Sequence, residues 1–151
     1  MKRKKQLLDL ISLLLIILWS YAAVSKLSNM EKSRMEMLNQ VFPAWMAEVL
    51  VWLVPLVELA LVGLLLFRRT RGRALLGSFL LLIAFSAYVG LLMTGIFGRV
   101  PCSCGGILRA MPYEAHLIFN LCYTGIAALG LHLHRNDVSF QTNNPQRKEA
   151  R

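Results

Sequence analysis

Four apolar blocks, each close to the roughly 20 residues needed to cross a bilayer, constrain this chain more than any other feature. They cover residues 7–25, 44–67, 77–97 and 115–133, and short charged stretches separate them. Only Asp9 interrupts the first. The second holds Glu48, Pro55 and Glu58, the third has no charge, and the fourth has His116, Asn120 and His132 as polar members. Inside a bilayer every backbone N–H and C=O must be bonded within the protein, so such spans are helices. The expected fold is all-α, an integral membrane four-helix bundle. Residues 1–6 form a basic N-terminus, 7–134 the four-span domain, and 135–151 a polar tail expected to lack order. With 56% hydrophobic and 17% charged residues, the composition fits this reading better than a soluble core.

The net charge of +9 invites a nucleic-acid reading, which the positions of the charges exclude. Lys2, Arg3, Lys4 and Lys5 open the chain. Arg68, Arg69, Arg71 and Arg73 share one loop, and Arg135, Arg147, Lys148 and Arg151 lie in the tail. With the N-terminus inside, all three clusters fall on one side, leaving Lys26, Lys32, Arg34, Arg99 and Arg109 on the other. The positive-inside rule then makes both termini cytoplasmic and sends segments 26–43 and 98–114 outward. A cleaved signal peptide ending near Ser20-Tyr21-Ala22 would leave three spans, but the first apolar stretch is longer than a usual signal core. Trp19, Trp45 and Trp52 fall in the outer halves of their spans, with Trp45 at the level of an aromatic belt.

Small residues permit close helix packing, and Ser86 with Gly90, then Gly63, Gly125 and Gly130, are the candidates. Whether copies of the chain form a homo-oligomer stays open. The outward segment from Asn29 to Leu38 mixes Met30, Met35, Met37 and Leu38 with charge, as a short interfacial helix would. Methionine thioethers are also soft copper ligands, but methionine lying on lipid is the simpler account.

Cys102 and Cys104 lie in the second outward segment. A Cys-x-Cys disulfide closes a tight ring, because alternate residues of a straight strand sit near the far end of the usual Cα range. Gly105 and Gly106 ease the bend. A strained, exposed disulfide is labile, which favours redox exchange; a static staple is the competing reading. Pro112 suits a first helical position, so the fourth span would aim its N-terminus at the pair and stabilise a thiolate. Arg99 and Arg109 act in the same direction, and His116, one turn in, is a candidate proton acceptor. Two cysteines and one histidine fall short of a closed tetrahedral zinc site, so no metal centre is expected. Cys122, about eight residues into the fourth span and roughly 12 Å along it, is expected to face other helices as an inert thiol. A thiol that reaches a bound quinone is its alternative role.

Glu58, an ionisable residue within a span, is a candidate functional group by its cost alone. Proton transfer and a protonated, hydrogen-bonded structural role are both open to it. Lys26 and Glu48 share the outer interface and are expected to pair. Lys26 and Glu58 are not, because their depths differ by much of a helix half-length.

The ordered set Tyr21-Ala22-Ala23-Val24-Ser25-Lys26-Leu27, Pro55-Leu56-Val57-Glu58-Leu59 and Gly98-Arg99-Val100-Pro101-Cys102-Ser103-Cys104-Gly105-Gly106 resembles the MauE branch of the DoxX-like membrane proteins. The resemblance covers roughly residues 7–134. It implies a multi-pass protein of the bacterial inner membrane, linked to disulfide formation in a periplasmic dehydrogenase subunit. DsbB and vitamin K epoxide reductase are similar in architecture and pass electrons from thiols to a quinone. Those proteins commonly relay through a second outward cysteine pair, whereas segment 26–43 has no cysteine. A periplasmic thioredoxin-like partner would have to supply it. The expected function is thiol–disulfide exchange through Cys102 and Cys104, assisted by Glu58 and His116, with a membrane quinone as the natural electron sink; the direction of flow stays open, since the pair could also reduce partners. A non-catalytic anchoring subunit with a structural disulfide, or a carrier of metal or small solutes, are the competing functions.

Overall fold

The computed structural model describes residues 2–96 and 112–142 of the 151. Five helices follow one another: α1 (Lys2–Leu27), α2 (Met30–Leu38), α3 (Ala44–Leu66), α4 (Arg71–Met93) and α5 (Tyr113–Thr142). All except α2 are long and apolar enough to span a membrane. The protein is a multi-pass membrane protein, and among the described residues it has no strand.

The long helices are apolar all round, which is why their outward faces suit lipid. On α1, Leu8, Ile11, Ser12, Leu15, Leu18, Trp19 and Ala23 are buried at helical spacing, while Leu10, Leu13, Ile17 and Val24 are exposed. On α3 the buried stripe is Ala47, Val51, Pro55, Glu58, Leu61 and Leu65. On α4 it runs from Ala74 to Leu92 through Leu75, Ser78, Leu82, Ser86 and Val89. Helix α1 packs mainly on α3 and α5, and α4 on α5 and α3, so the spans form a ring. Trp19 closes its centre, donating from Nε1 to Ser78 Oγ at 2.9 Å. Trp45 and Trp52, by contrast, are exposed on α3.

The ends of the spans differ from expectation where charges find partners. Helix α4 begins at Arg71 rather than at residue 77, and Arg71 Nη1 reaches Asp9 Oδ1 at 2.6 Å. That ion pair gives the one acidic residue of α1 a partner on another helix. Helix α5 continues to Thr142, so the first residues expected to belong to an unordered tail are helical. Residues 143–151 lie outside the described residues.

The short helix α2 covers the end of the bundle opposite the start of α1 and the α3–α4 turn. Asn29 caps it, accepting from Lys32 N at 3.2 Å, as a side-chain oxygen at an N-cap does. Ser33 Oγ donates to the last turn of α1 at Lys26 O, 3.0 Å away. Arg34 holds the Glu48 carboxylate with Nε 2.9 and 3.0 Å from its two oxygens, and this contact keeps Arg34 all the more firmly protonated. Glu48 therefore pairs with Arg34, and not with Lys26 as expected.

Close helix contact rests on fewer small residues than the sequence offers. A Cβ on Gly130 would come within 2.8 Å of Ile11 Cγ2 and 3.0 Å of Leu75 Cδ2, where α5 meets α1 and α4. Gly63, Gly90 and Gly125 have nothing within 4 Å of such a Cβ. Ser86 is buried but returns its hydroxyl to Leu82 O of its own helix. Ile11 is stiff at χ1 and cannot swing aside freely. Gly130→Val is thus expected to cost about 1–3 kcal/mol by overpacking, with Gly125→Ala close to neutral. Thermal unfolding of the two variants in detergent checks the contrast.

Candidate functional site

Lys26 and Glu58 meet inside the bundle. Lys26 Nζ stands 2.8 Å from Glu58 Oε1 and donates also to Ala22 O at 3.3 Å. Glu58 is 1% exposed and Lys26 15%. The expectation that their depths keep them apart fails for a geometric reason. Side chains on a helix lean toward its N-terminus. Helices α1 and α3 run antiparallel, so Lys26 leans down the bundle while Glu58 leans up toward it. The bond from Nζ back to Ala22, one turn earlier, records that lean. Pro55, one turn before Glu58 and itself buried, lacks the N–H that Val51 O would otherwise accept, which loosens α3 locally.

The pair borders a cavity of about 280 Å³ on the α2 side of the ring. Its walls come from every helix. Leu18, Trp19 and Ala22 of α1, Leu50 and Val54 of α3, and Leu82, Phe85 and Val89 of α4 make most of the apolar surface. Helix α5 contributes His116, Phe119 and Asn120. The roof is the turn after α2. There Gln40 accepts from Tyr88 OH at 2.6 Å, and Phe42 stacks on the same tyrosine with ring centroids 5.1 Å apart. Met37 completes it. Few polar groups in an apolar concavity are the usual makeup of a small-molecule site.

Two residues singled out in the sequence, Glu58 and His116, line this one cavity. His116 is half-buried near the start of α5, within electrostatic reach of Lys26. Cys102 and Cys104 lie outside the described residues. Cys122 is exposed on α5, contrary to the expectation that it faces other helices. At about 100° per residue it sits on the far side of the helix from Asn120, whose face also carries Ala127. Both of those are buried, so the position of Asn120 already fixes where Cys122 points. Lys26, Gln40, Tyr88 and Asn120 are site residues that sequence reasoning missed. Asn120 had a signal, an amide within an apolar span; the others sit at the bundle end, where polar residues are ordinary. Among the described residues, no three His, Cys, Asp or Glu side chains converge as a metal site.

Residues 4–133 match the model of the family described as methylamine utilisation protein MauE. The chain belongs to the MauE family. Neither the curated proteins nor the solved structures compared with it gave a match. Every residue that borders the cavity of this MauE-family protein falls within the matched range, as does the Cys102-Ser103-Cys104 segment. The match ends at residue 133, within α5, so it spans all four membrane helices except the last turns of the fourth.

Proposed function

We propose that this MauE-family protein exchanges thiol–disulfide electrons through Cys102 and Cys104, between a periplasmic thiol or thioredoxin-like partner and the membrane. In this reading it lies in the bacterial inner membrane with both termini cytoplasmic. The cavity that joins Lys26, Glu58 and His116 carries the proposal, because α5, which supplies His116, is the first helix after the cysteine segment. Electron transfer out of a dithiol releases protons, and a carboxylate and an imidazole that line the same cavity from α3 and α5 are groups able to move them.

The exchange balances as follows. A thiolate of the partner attacks the Cys102–Cys104 disulfide, forming a mixed disulfide and freeing one cysteine thiolate. The partner's second thiolate resolves it. The partner leaves oxidised by two electrons, and Cys102 and Cys104 are left as two thiols. Those thiols return to the disulfide by giving two electrons and two protons to a membrane quinone. A compartment that favours disulfides suits this direction of flow.

The test is the redox state of the pair in intact cells, read by an alkylation shift in a Cys122→Ala background. After a pulse of external reductant, the pair is expected to reoxidise quickly while respiration runs and slowly when it is blocked. A pair that stays oxidised through the pulse is a structural staple, and the protein is then a non-catalytic membrane subunit.

A further inference from the structure

Two polar atoms in the cavity are left unsatisfied by the protein. Glu58 Oε2 and Asn120 Nδ2 are buried and have no hydrogen-bond partner among the described residues. Glu58 is 1% exposed and Asn120 5%, and both line the cavity. Buried polar groups are nearly always paired, and an orphan costs stability unless something else completes it. These two are complementary: the carboxylate oxygen accepts, and the amide donates. A guest with one oxygen for Asn120 and one hydroxyl for Glu58 satisfies both.

The remaining walls restrict that guest. Trp19, Phe85 and Phe119 supply aromatic rings, and Leu82, Val54 and Val89 add aliphatic surface. A volume of about 280 Å³ exceeds the roughly 150 Å³ apolar cavity that takes up benzene, and lies just under the roughly 300 Å³ at which sites for drug-sized ligands begin. It holds one substituted ring. Ala84 lines the cavity yet is exposed on α4, where its neighbours Leu80 and Ile83 face outward. The cavity therefore has an edge on the lipid-facing surface at Ala84.

We propose that this cavity is the ring site for the electron acceptor, a single-ring quinone dissolved in the bilayer, with Asn120 and Glu58 as its polar contacts. The assignment rests on the redox reading above. Asn120 Nδ2 donates to one ring oxygen in either oxidation state. Glu58 Oε2 accepts from a ring hydroxyl only after reduction, and Lys26 holds its other oxygen in place meanwhile. As Cys102 and Cys104 close their S–S bond, they lose two electrons and two protons, and these turn the two ring carbonyls into hydroxyls. The site thus holds the reduced ring by one more hydrogen bond than the oxidised ring.

Trp19 is a built-in reporter for the test. The full-length protein, with Trp45→Phe and Trp52→Phe to leave one tryptophan, and Cys102→Ser and Cys104→Ser to remove the chemistry, is placed in nanodiscs. It is titrated with decyl-ubiquinone. Saturable quenching of Trp19 is expected. Asn120→Leu, which keeps side-chain size and deletes the donor, should weaken binding about tenfold while thermal stability holds or rises. Ala84→Trp, scored by retention of a radiolabelled quinone, should block access with Asn120 intact. Non-saturable quenching, or binding unchanged in both variants, overturns the site. Displacement by phosphatidylglycerol, whose headgroup also offers hydroxyls and carbonyls, overturns the quinone in favour of a lipid. Because the cysteines are absent, binding with an inert pair in cells would sink the redox reading alone. A cycling pair without binding here would sink only this site.

Discussion

Lys26→Met is expected to destabilise the bundle by about 3–5 kcal/mol, because it strands the Glu58 carboxylate without its cation. Glu58 is almost wholly buried on α3. Glu58→Leu should cost less. Lys26 stands next to the last residue of α1 and can carry its ammonium toward the bundle end on a flexible stem. Combining Lys26→Met with Glu58→Leu should recover most of the stability, since an apolar pair of similar volume often replaces a buried ion pair at no cost. Thermal unfolding in detergent of the two single variants and the double measures the cycle. Equal losses in all three would mean that the pair does not act as a unit. The double variant also separates fold from function: it should be stable and still fail to pass electrons, because the carboxylate oxygen facing the cavity is gone.

The second large effect is on the cysteines. Cys102→Ser and Cys104→Ser are each expected to reduce partner oxidation to background, because one thiol cannot complete a two-electron exchange. Expression and thermal stability should hold in both variants. A structural staple would reverse that pattern, with stability lost and oxidation of partners unchanged. Cys122→Ala should alter neither quantity, since Cys122 is exposed on α5, outside the cavity. Partner oxidation in cells, scored beside the melting temperature of each purified variant, distinguishes the two roles.

The spans were legible because apolar length alone reports them; Glu58 stood out because ionisable groups in a span are rare, and His116 because it lies one turn into the span that follows the cysteine pair. Depth along a helix was a poorer guide. It separated Lys26 from Glu58 by counting backbone rise and left out the lean of each side chain, which in antiparallel helices brings the two together. The same omission gave Glu48 the wrong cation, when Arg34 on α2 was within reach. Helix rotation was readable but unused: Asn120 and Ala127 define the inner face of α5, and Cys122 falls off it. Gln40 and Tyr88 could not be found, because their bond joins the turn after α2 to α4 and nothing local marks it. The third span illustrates a related difficulty. Its helix starts at Arg71, within the basic stretch, where the side chain meets Asp9 of another helix and apolar length gives no sign of it.

The most direct measurement begins with purified protein in nanodiscs, carrying Cys122→Ala and fully reduced at Cys102 and Cys104. It is mixed anaerobically with decyl-ubiquinone while quinol and free thiols are followed together. One quinol is expected to form and two thiols to be lost per chain, with the rate falling sharply in Asn120→Leu and in the Lys26→Met, Glu58→Leu double variant. Thiols that persist beside unreduced quinone would contradict the redox reading.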